Sequence, residues 1–233
     1  MGKAIYAPHR LCASNLPRNA GTGLDQRCPR WIIGSSDYLD LAFQAWKQAR
    51  QDENVIKIDV PQDSEHEFDL GVLDGLNPTD GAMFVAFDER FGNFKRMELM
   101  QAAMERGFKL EPFIHASAAI GSDTVIELNV FVGANAVVGH GCKIDYNTVI
   151  HAGAHLGPAC RVKSSCWIEN GVQIGAGVEI GGNSILRTGA IVSGGVKVGR
   201  SCELGWPRVY GENVPAKTYF DARYDSPIHT YER

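Results

Sequence analysis

Residues 113–214 read FIHASA AIGSDT VIELNV FVGANA VVGHGC KIDYNT VIHAGA HLGPAC RVKSSC WIENGV QIGAGV EIGGNS ILRTGA IVSGGV KVGRSC ELGWPR VYGENV. These are seventeen consecutive six-residue units. The second residue is apolar in all seventeen units, whereas a hydrophobic content of 44% would give about seven apolar residues at that position by chance. Nine units have glycine at the third position, and 17 of the chain's 26 glycines lie in this stretch. A period of six fits a short strand followed by a corner, with the second residue pointing inward.

This repeat predicts a prism of stacked coils. Three units close one triangular coil, so seventeen units give five to six coils of a parallel β-helix, with about 4.8 Å between coils. A single unit cannot bury its aliphatic residue, and stacking does so. The cysteines at the sixth position (Cys142, Cys160, Cys166 and Cys202) are then expected to be small buried side chains.

Residues 31–112 predict a small α/β domain of the Rossmann-like type with a parallel sheet. Strands are predicted at 31–33, 55–60 and 83–87, and helices at about 37–50 and 94–106. In such a sheet ligands bind beyond the carboxyl ends of the strands. The substrate-binding candidates there are Gly34, Ser35, Ser36 and Asp59.

Two segments flank these domains. Residues 1–30 contain five basic residues and one acidic residue, and they predict an N-terminal arm. Residues 215–233 form a polar and aromatic C-terminal tail, which we expect to strap a neighbouring subunit.

The composition excludes several classes of function. The net charge is −4 and no broad basic field is present, so nucleic acid is not an expected partner. No apolar run approaches the roughly 20 residues of a membrane span. The six cysteines lack the density of a disulfide scaffold, which favours a cytoplasmic protein.

The repeat resembles that of the hexapeptide-repeat acyltransferases, whose β-helix is left-handed. The resemblance continues upstream, because 84–87 (FVAF), 105–108 (ERGF) and 113–115 (FIH) are similar to the domain junction of sialic-acid O-acetyltransferases and bacillosamine N-acetyltransferases. It implies a homotrimer that takes acetyl-CoA or another acyl-CoA as co-substrate between adjacent prisms. It also implies transfer to an amino or hydroxyl group of a nucleotide-linked sugar in cell-surface glycan synthesis, with no metal.

The catalytic histidine of these relatives lies in the eighth unit, where this chain has Pro158 followed by Ala159 in place of the acidic neighbour. Because proline cannot accept a proton, the base is expected elsewhere. His151 and His155 both flank inward aliphatic residues and are therefore predicted to point outward around one corner of the prism. His155 and His151 are the two candidates for the catalytic base. Of the two we predict that His155 carries the reaction, and that His151, where relatives have a substrate-contacting asparagine, also binds the sugar.

The resemblance also places the cofactor-binding positions. Gly175, Ala176 and Gly194 match positions where the pantetheine arm of acyl-CoA approaches the backbone, and Trp206 is predicted to cover the adenine. A trimer is expected in addition because outward apolar residues would otherwise lie in water; these are Phe131, Val137, Trp167 and Ile185.

Two other interpretations stay open. One is a catalytically inactive trimeric relative that binds a ligand or partner. The other is a metalloenzyme similar to γ-class carbonic anhydrases, with His140, His151 and His155 as zinc ligands. The sequence leaves open the acyl chain, the sugar and the choice between N- and O-acylation.

Overall fold

The structure is a computed structural model that describes residues 11–12, 28–50 and 54–230. A small α/β sheet is followed by a parallel β-helix of about six turns, as predicted. Most of the predicted N-terminal arm lies outside the described residues. Within it, strand β1 (Leu11–Cys12) pairs antiparallel with Val125–Ile126 of the prism.

The α/β domain has a three-stranded parallel sheet in the order β3-β2-β4, with β2 in the centre. Its elements are β2 (Arg30–Gly34), α1 (Asp37–Ala49), β3 (Val55–Asp59), β4 (Ala82–Ala86) and α2 (Phe94–Glu105), with 3₁₀ turns at Leu70–Leu73 and Arg90–Asn93. The predicted strands and helices are confirmed to within a residue or two at each end. Gly107 follows α2 with a φ of 87°, the left-handed conformation that glycine adopts at low cost.

The prism contains one two-residue strand at the first two positions of each of the seventeen units, as the period predicts. These strands are β5 (Phe113–Ile114), β6 (Ala119–Ile120), β7 (Val125–Ile126), β8 (Phe131–Val132), β9 (Val137–Val138), β10 (Lys143–Ile144), β11 (Val149–Ile150), β12 (His155–Leu156), β13 (Arg161–Val162), β14 (Trp167–Ile168), β15 (Gln173–Ile174), β16 (Glu179–Ile180), β17 (Ile185–Leu186), β18 (Ile191–Val192), β19 (Lys197–Val198), β20 (Glu203–Leu204) and β21 (Val209–Tyr210). The winding is left-handed.

Three parallel sheets form the faces of the prism. The covered face consists of β5, β8, β11, β14, β17 and β20. The open face consists of β6, β9, β12, β15, β18 and β21. The charged face consists of β7, β10, β13, β16 and β19, and its first-position residues include Lys143, Arg161, Glu179 and Lys197.

The corners of the prism explain which residue types occupy the fifth and sixth positions of the repeat. From the second unit to the fifteenth, every fifth-position residue has a positive φ, and these residues are mainly asparagine, glycine and serine. The sixth-position cysteines are free and buried, as predicted, but they are also hydrogen-bond donors. The Cys142 thiol donates to the Gly157 carbonyl at 3.2 Å, and the Cys160 thiol donates to the Gly175 carbonyl at 3.1 Å. The hydroxyl groups of Thr148 and Ser184 likewise donate to a backbone carbonyl fifteen residues further along the chain.

The α/β domain packs on the covered face of its own chain. Tyr38 of α1 lies edge-on to Trp167, with ring centroids 5.0 Å apart, and Trp46 lies 5.1 Å from Phe113. Phe131, Trp167 and Ile185 are buried in this contact. The argument that these three side chains need a trimer to leave water is therefore wrong, because helix α1 already covers them.

Buried polar groups fix this contact. Arg96 of α2 is fully buried, and its guanidinium donates to the carbonyl oxygens of Asn147, at 3.1 Å, and Phe87, at 3.3 Å. The Asn129 side chain joins β4 by accepting from the Val85 N–H at 2.7 Å and donating to the Val85 carbonyl at 3.1 Å. Such paired polar groups specify one orientation of the two domains.

The C-terminal tail ends the prism of its own chain. Strand β22 (Thr218–Phe220) adds in parallel to β20, and β23 (Ile228–His229) pairs antiparallel with β22. Phe220 packs on the apolar core of its own chain here, and the expected strap to a neighbouring subunit stays a prediction. Neither helix of the described chain has the length and apolarity that a membrane crossing requires.

Candidate functional site

A groove crosses three coils of the open face and encloses about 410 Å³. Its walls come from the eighth, eleventh and fourteenth units of the repeat. The lining residues are His155, Gly157, Gln173, Ile174, Gly175, Ile191, Val192, Ser193 and Gly194. The groove thus brings together the predicted base His155 and two of the predicted cofactor-binding residues, Gly175 and Gly194.

Three of the nine residues that line the groove are glycines, and two of them lie where the coils approach each other too closely for a side chain. A Cβ atom on Gly157 would lie 2.7 Å from the Ala176 nitrogen, and one on Gly175 would lie 2.5 Å from the Gly194 nitrogen. The fold therefore requires glycine at these positions, so this part of the groove is lined by backbone and not by side chains. Within the described residues, the Ala176 and Gly194 N–H groups donate to no other group. Both residues lie on the exposed corner beside the groove.

His155 lies on β12, in register with Val137 of β9 and Gln173 of β15. Its side chain is exposed, as predicted. Within the described chain no hydrogen bond holds its ring, so the imidazole can turn toward a ligand in the groove.

His151 has a different environment from the one predicted. It points away from the prism interior, but it lies beneath α1, with ring centroids 4.4 Å from Trp167 and 5.8 Å from Tyr38. Burial lowers the pKa of His151 to about 4, and the positive charge of Arg96 acts in the same direction. Its Nε2 atom is buried with no hydrogen-bond partner among the described residues. His151 and His155 therefore do not face one solvent-filled corner.

The corner at which the sequence comparison predicted a catalytic histidine has no titratable side chain at its fourth and fifth positions. Pro158 and Ala159 are exposed, and Ala159 has a φ of 59°. A left-handed alanine costs about 1 kcal/mol, so the corner keeps its backbone shape although its side chains are inert.

Trp206 does not belong to the groove lining. Its ring packs edge-on against Phe220 at 5.1 Å, and Arg208 stacks over it at 5.4 Å. Trp206 thus forms part of the C-terminal end of the prism core, which is why the structure does not bring it together with Gly175 and Gly194.

The predicted crevice residues meet at the carboxyl edge of the α/β sheet. Gly34 ends β2 in register with Asp59 of β3 and Ala86 of β4. A side chain on Gly34 would collide with the Ala86 carbonyl, so only glycine fits. Ser36, the residue before α1, has a φ of 77°, and its Oγ atom is buried without a partner among the described residues. Asp59 is exposed at this edge, and Ser35 follows Gly34 in the turn that leads to α1.

Sequence reasoning missed an ionic cluster at the domain junction. Arg187 contacts Glu89 at 2.6 Å and Glu169 at 2.7 Å through Nη1, and Glu203 at 2.8 Å through Nε. Burial alone would lower the pKa of Arg187, but the hydrogen bonds from these carboxylates raise it. The sequence contained a signal for this cluster. The third position of three units, each one coil after the last, is occupied by His151, Glu169 and Arg187.

The three histidines proposed as zinc ligands are not assembled within one chain. His151 is buried at the covered face, whereas His155 lies on the open face. Over residues 11–12, 28–50 and 54–230, no group of three or more histidine, cysteine or acidic side chains is arranged to hold a metal.

No protein-family model matches this chain, and no curated protein does. Solved structures are similar to it. The crystal structure of PerB from Caulobacter crescentus with CoA and GDP-perosamine has a TM-score of 0.69 and 24% identity, over 82% of this chain and 92% of that chain. A histidine-to-alanine mutant of GDP-perosamine N-acetyltransferase from Caulobacter crescentus, also with CoA and GDP-perosamine, has a TM-score of 0.53 and 23% identity, over 87% and 97%. The likeness shows a shared two-domain fold.

Proposed function

We propose that this protein is an acyl-CoA-dependent acyltransferase, with acetyl-CoA as its acyl donor, that modifies an amino or hydroxyl group of a nucleotide-linked sugar for cell-surface glycans. One observation carries the proposal. The open-face groove joins an exposed histidine, His155, to a strip of bare backbone at Gly157, Gly175 and Gly194. This combination suits a flexible thioester arm that must end beside a base.

The groove fits the acyl donor. The pantetheine arm is narrow and carries amide groups, so it needs a floor without side chains and hydrogen-bonding groups along it. Gly175 and Gly194 supply the floor, and the free N–H groups of Ala176 and Gly194 supply two donors. One such donor, aimed at the thioester oxygen, would also stabilise the negative charge that develops on it.

The proposed chemistry is direct transfer. The sugar nucleophile attacks the thioester carbon, His155 accepts the proton that the nucleophile loses, and the thiolate of CoA leaves with that proton. A positioned base of this kind contributes about 10²–10⁴-fold to the rate. No covalent enzyme intermediate is needed.

The sugar nucleotide is proposed to occupy the crevice at the carboxyl edge of the α/β sheet. Asp59 offers an exposed carboxylate for sugar or ribose hydroxyls, and the turn at Gly34, Ser35 and Ser36 brings backbone close to the ligand. The assignment of His151 to the sugar stays a prediction, because its unpartnered Nε2 lies buried beneath α1. The relative PerB holds both CoA and GDP-perosamine.

The active homo-oligomer is proposed to be a trimer. In one chain the α/β domain sits on the covered face and the groove lies on the open face, so a second copy must bring its sugar crevice to the groove. The open face keeps apolar side chains available for contact, because Ile191 is 44% exposed and Val209 is 56% exposed. A cytoplasmic location fits the free thiols of the described residues.

Steady-state kinetics with the full chain test the proposal. Release of free CoA is measured with acetyl-CoA and a panel of nucleotide-linked amino and hydroxyl sugars. His155→Asn should lower kcat by about 10²–10⁴-fold with little change in KM. Lys143→Ala, on the charged face, is the matched control and should behave as wild type. Undiminished turnover in His155→Asn would remove the assigned base.

A non-catalytic binding protein is the second candidate, and Pro158 and Ala159 favour it, since the corner used by the resembling family is chemically inert here. Under that interpretation the wild-type chain binds acetyl-CoA or a sugar nucleotide in calorimetry but releases no CoA from any pair of substrates.

A further inference from the structure

We propose that the exposed rings of Phe91 and His66 form a binding site for the base of the nucleotide sugar, with Phe91 stacking on the base and His66 bonding to its edge. The inference rests on the proposed function and deepens it. It makes the base a part of the substrate that the protein recognises, so a nucleoside diphosphate sugar is a substrate and a sugar phosphate is not.

Both residues lie beyond the carboxyl edge of the α/β sheet. His66 is in a hairpin at residues 62–68 that follows β3, and Phe91 is in the short turn between β4 and α2. The hairpin reaches across to the end of β4, because Phe68 lies edge-on to Phe87 with ring centroids 5.3 Å apart. The ring centroids of His66 and Phe91 are 4.9 Å apart. The two rings therefore lie at the edge where the nucleotide sugar is proposed to bind.

The two side chains offer the contacts that a nucleobase needs. Phe91 is 49% exposed, whereas Phe87, four residues earlier, is fully buried. An exposed aromatic ring of this kind is a surface on which another planar ring can stack. His66 is exposed as well, and within the described residues no hydrogen bond occupies its ring nitrogens. Stacking on an aromatic ring together with hydrogen bonds to the base edge is the usual way in which proteins bind an unpaired base.

The backbone turns both rings outward at a cost in stability. Phe91, Gly92 and Asn93 have φ angles of 56°, 61° and 67°, so three consecutive residues are left-handed. His66 has a φ of 64°. Residues other than glycine rarely adopt this conformation, and such strain is found mainly at sites that bind or react. Since the exposed rings bury little surface for the fold, a ligand is the better explanation of why the strain is kept.

The hairpin is held in place by side-chain contacts. The Asp63 Oδ1 atom accepts from the Glu67 N–H at 2.9 Å, and the Gln62 side chain donates to the His66 carbonyl at 2.9 Å. Lys95 of α2 pairs with the Glu67 carboxylate at 2.9 Å. These contacts join the hairpin to the helix that follows Phe91, so the two rings keep their relative position without a ligand and are preorganised for one.

The charges around the rings favour a neutral base over a phosphate group. The hairpin carries the carboxylates of Asp63, Glu65 and Glu67. The basic side chains of the adjoining turn and helix, Arg90 and Lys95, are each paired with a carboxylate, at 2.8 Å and 2.9 Å. A diphosphate would be repelled here, whereas an uncharged base would not. The base is therefore assigned to the rings, and the diphosphate to the turn before α1.

Calorimetry with the full chain tests the site with GDP, UDP and dTDP as probes, each in saturating CoA so that the groove is occupied. Phe91→Ala should weaken binding of the tightest of the three about 10–100-fold, the range of base stacking on an aromatic ring. Phe91→Tyr keeps the ring and should stay within about threefold of wild type, whereas Phe91→Leu keeps only the apolar bulk and should lose about tenfold or more. His66→Ala should reduce the preference among the three bases. Tyr224→Ala, at a 52% exposed ring of the C-terminal tail, is the matched control and should bind as wild type.

The outcomes separate this inference from the proposed function. Wild-type turnover with undiminished nucleotide binding in Phe91→Ala overturns the base site and leaves the acyltransferase intact. The base site is also overturned if the wild type binds none of the three probes, or if a sugar 1-phosphate is as good an acceptor as the nucleotide sugar. Weaker binding of acetyl-CoA to Phe91→Ala overturns it too, because the ring then serves the acyl donor. A wild type that transfers no acyl group, but whose nucleotide binding is lost in Phe91→Ala, overturns the proposed function and supports the base site.

Discussion

The covered face and the open face of the prism are built from the same six-residue unit, yet they do different things. On the covered face the first-position residues include Phe113, Phe131 and Trp167, and helix α1 buries them. On the open face the same position holds His155, Gln173 and Ile191, which are exposed. The interior residues make both faces fold alike. The outward residues, and what lies on them, decide which face packs and which can bind a ligand.

The largest expected effect concerns the interior, where the two faces should not differ. Ile150 at the covered face and Leu156 at the open face are both fully buried. Ile150→Asp and Leu156→Asp each place an unpaired carboxylate in the aliphatic stack, which costs several kcal/mol. Both variants should fail to give folded protein by circular dichroism and gel filtration. His155→Asp, one residue from Leu156 but outward, should stay folded. A well-folded Ile150→Asp would mean that the register of the repeat is wrong.

The second prediction distinguishes the outward residues. Trp167 is 6% exposed and contacts Tyr38, His151 and Arg96. Trp167→Ala should lower the free energy of unfolding by about 3–5 kcal/mol, because it leaves a cavity under α1. Gln173→Ala, at the same position of the next unit, should change it by less than about 0.5 kcal/mol. Denaturant titration measures both, and equal effects would contradict the contrast between the faces.

The third prediction concerns the pH dependence of stability, and it compares His151 with His155. Burial lowers the pKa of His151 from 6.5 to about 4 in the folded chain. Between these values the unfolded chain binds a proton that the folded chain does not. The folded state should therefore lose up to about 3 kcal/mol as the pH falls from 6.5 to about 4.

Unfolding in urea at pH 7 and at about pH 4.5 measures this dependence. His151→Gln should remove most of it, because no imidazole remains to be protonated at that site. His155→Gln should retain it, because His155 lies in solvent on the open face. An identical pH dependence in wild type and His151→Gln would show that other groups cause the loss of stability in acid.

The smallest expected effect separates the two proposed ligand sites. Asp59→Ala should raise the dissociation constant of the nucleotide sugar about 10–100-fold, since a hydrogen bond to a charged group contributes about 1.5–3 kcal/mol. It should leave the affinity for acetyl-CoA unchanged, because Asp59 is proposed to contact the nucleotide sugar and not the acyl donor. Isothermal calorimetry with each ligand measures both, with Asp74→Ala, on an exposed loop, as the control. A weaker affinity for acetyl-CoA would place the two ligands in one site.

The sequence by itself determined the prism. The six-residue period assigned all seventeen strands, because alternation along a strand leaves one inward residue per unit and an apolar side chain occupies that position in every unit. The strands and helices of the α/β domain were equally predictable from local pattern. Gly34 and Asp59 met at one sheet edge as expected, because the carboxyl ends of parallel strands lie together.

Only the tertiary structure decided the roles of the outward residues. His151 and His155 are each adjacent to an inward aliphatic residue, so the sequence treats them as equivalent. Helix α1 packs over one and leaves the other in solvent, and that contact joins residues more than a hundred positions apart. The three carboxylates around Arg187 likewise depend on neighbours in other coils or in the other domain. A periodic pattern fixes which side of the backbone a residue occupies, whereas its burial depends on what else in the molecule packs there.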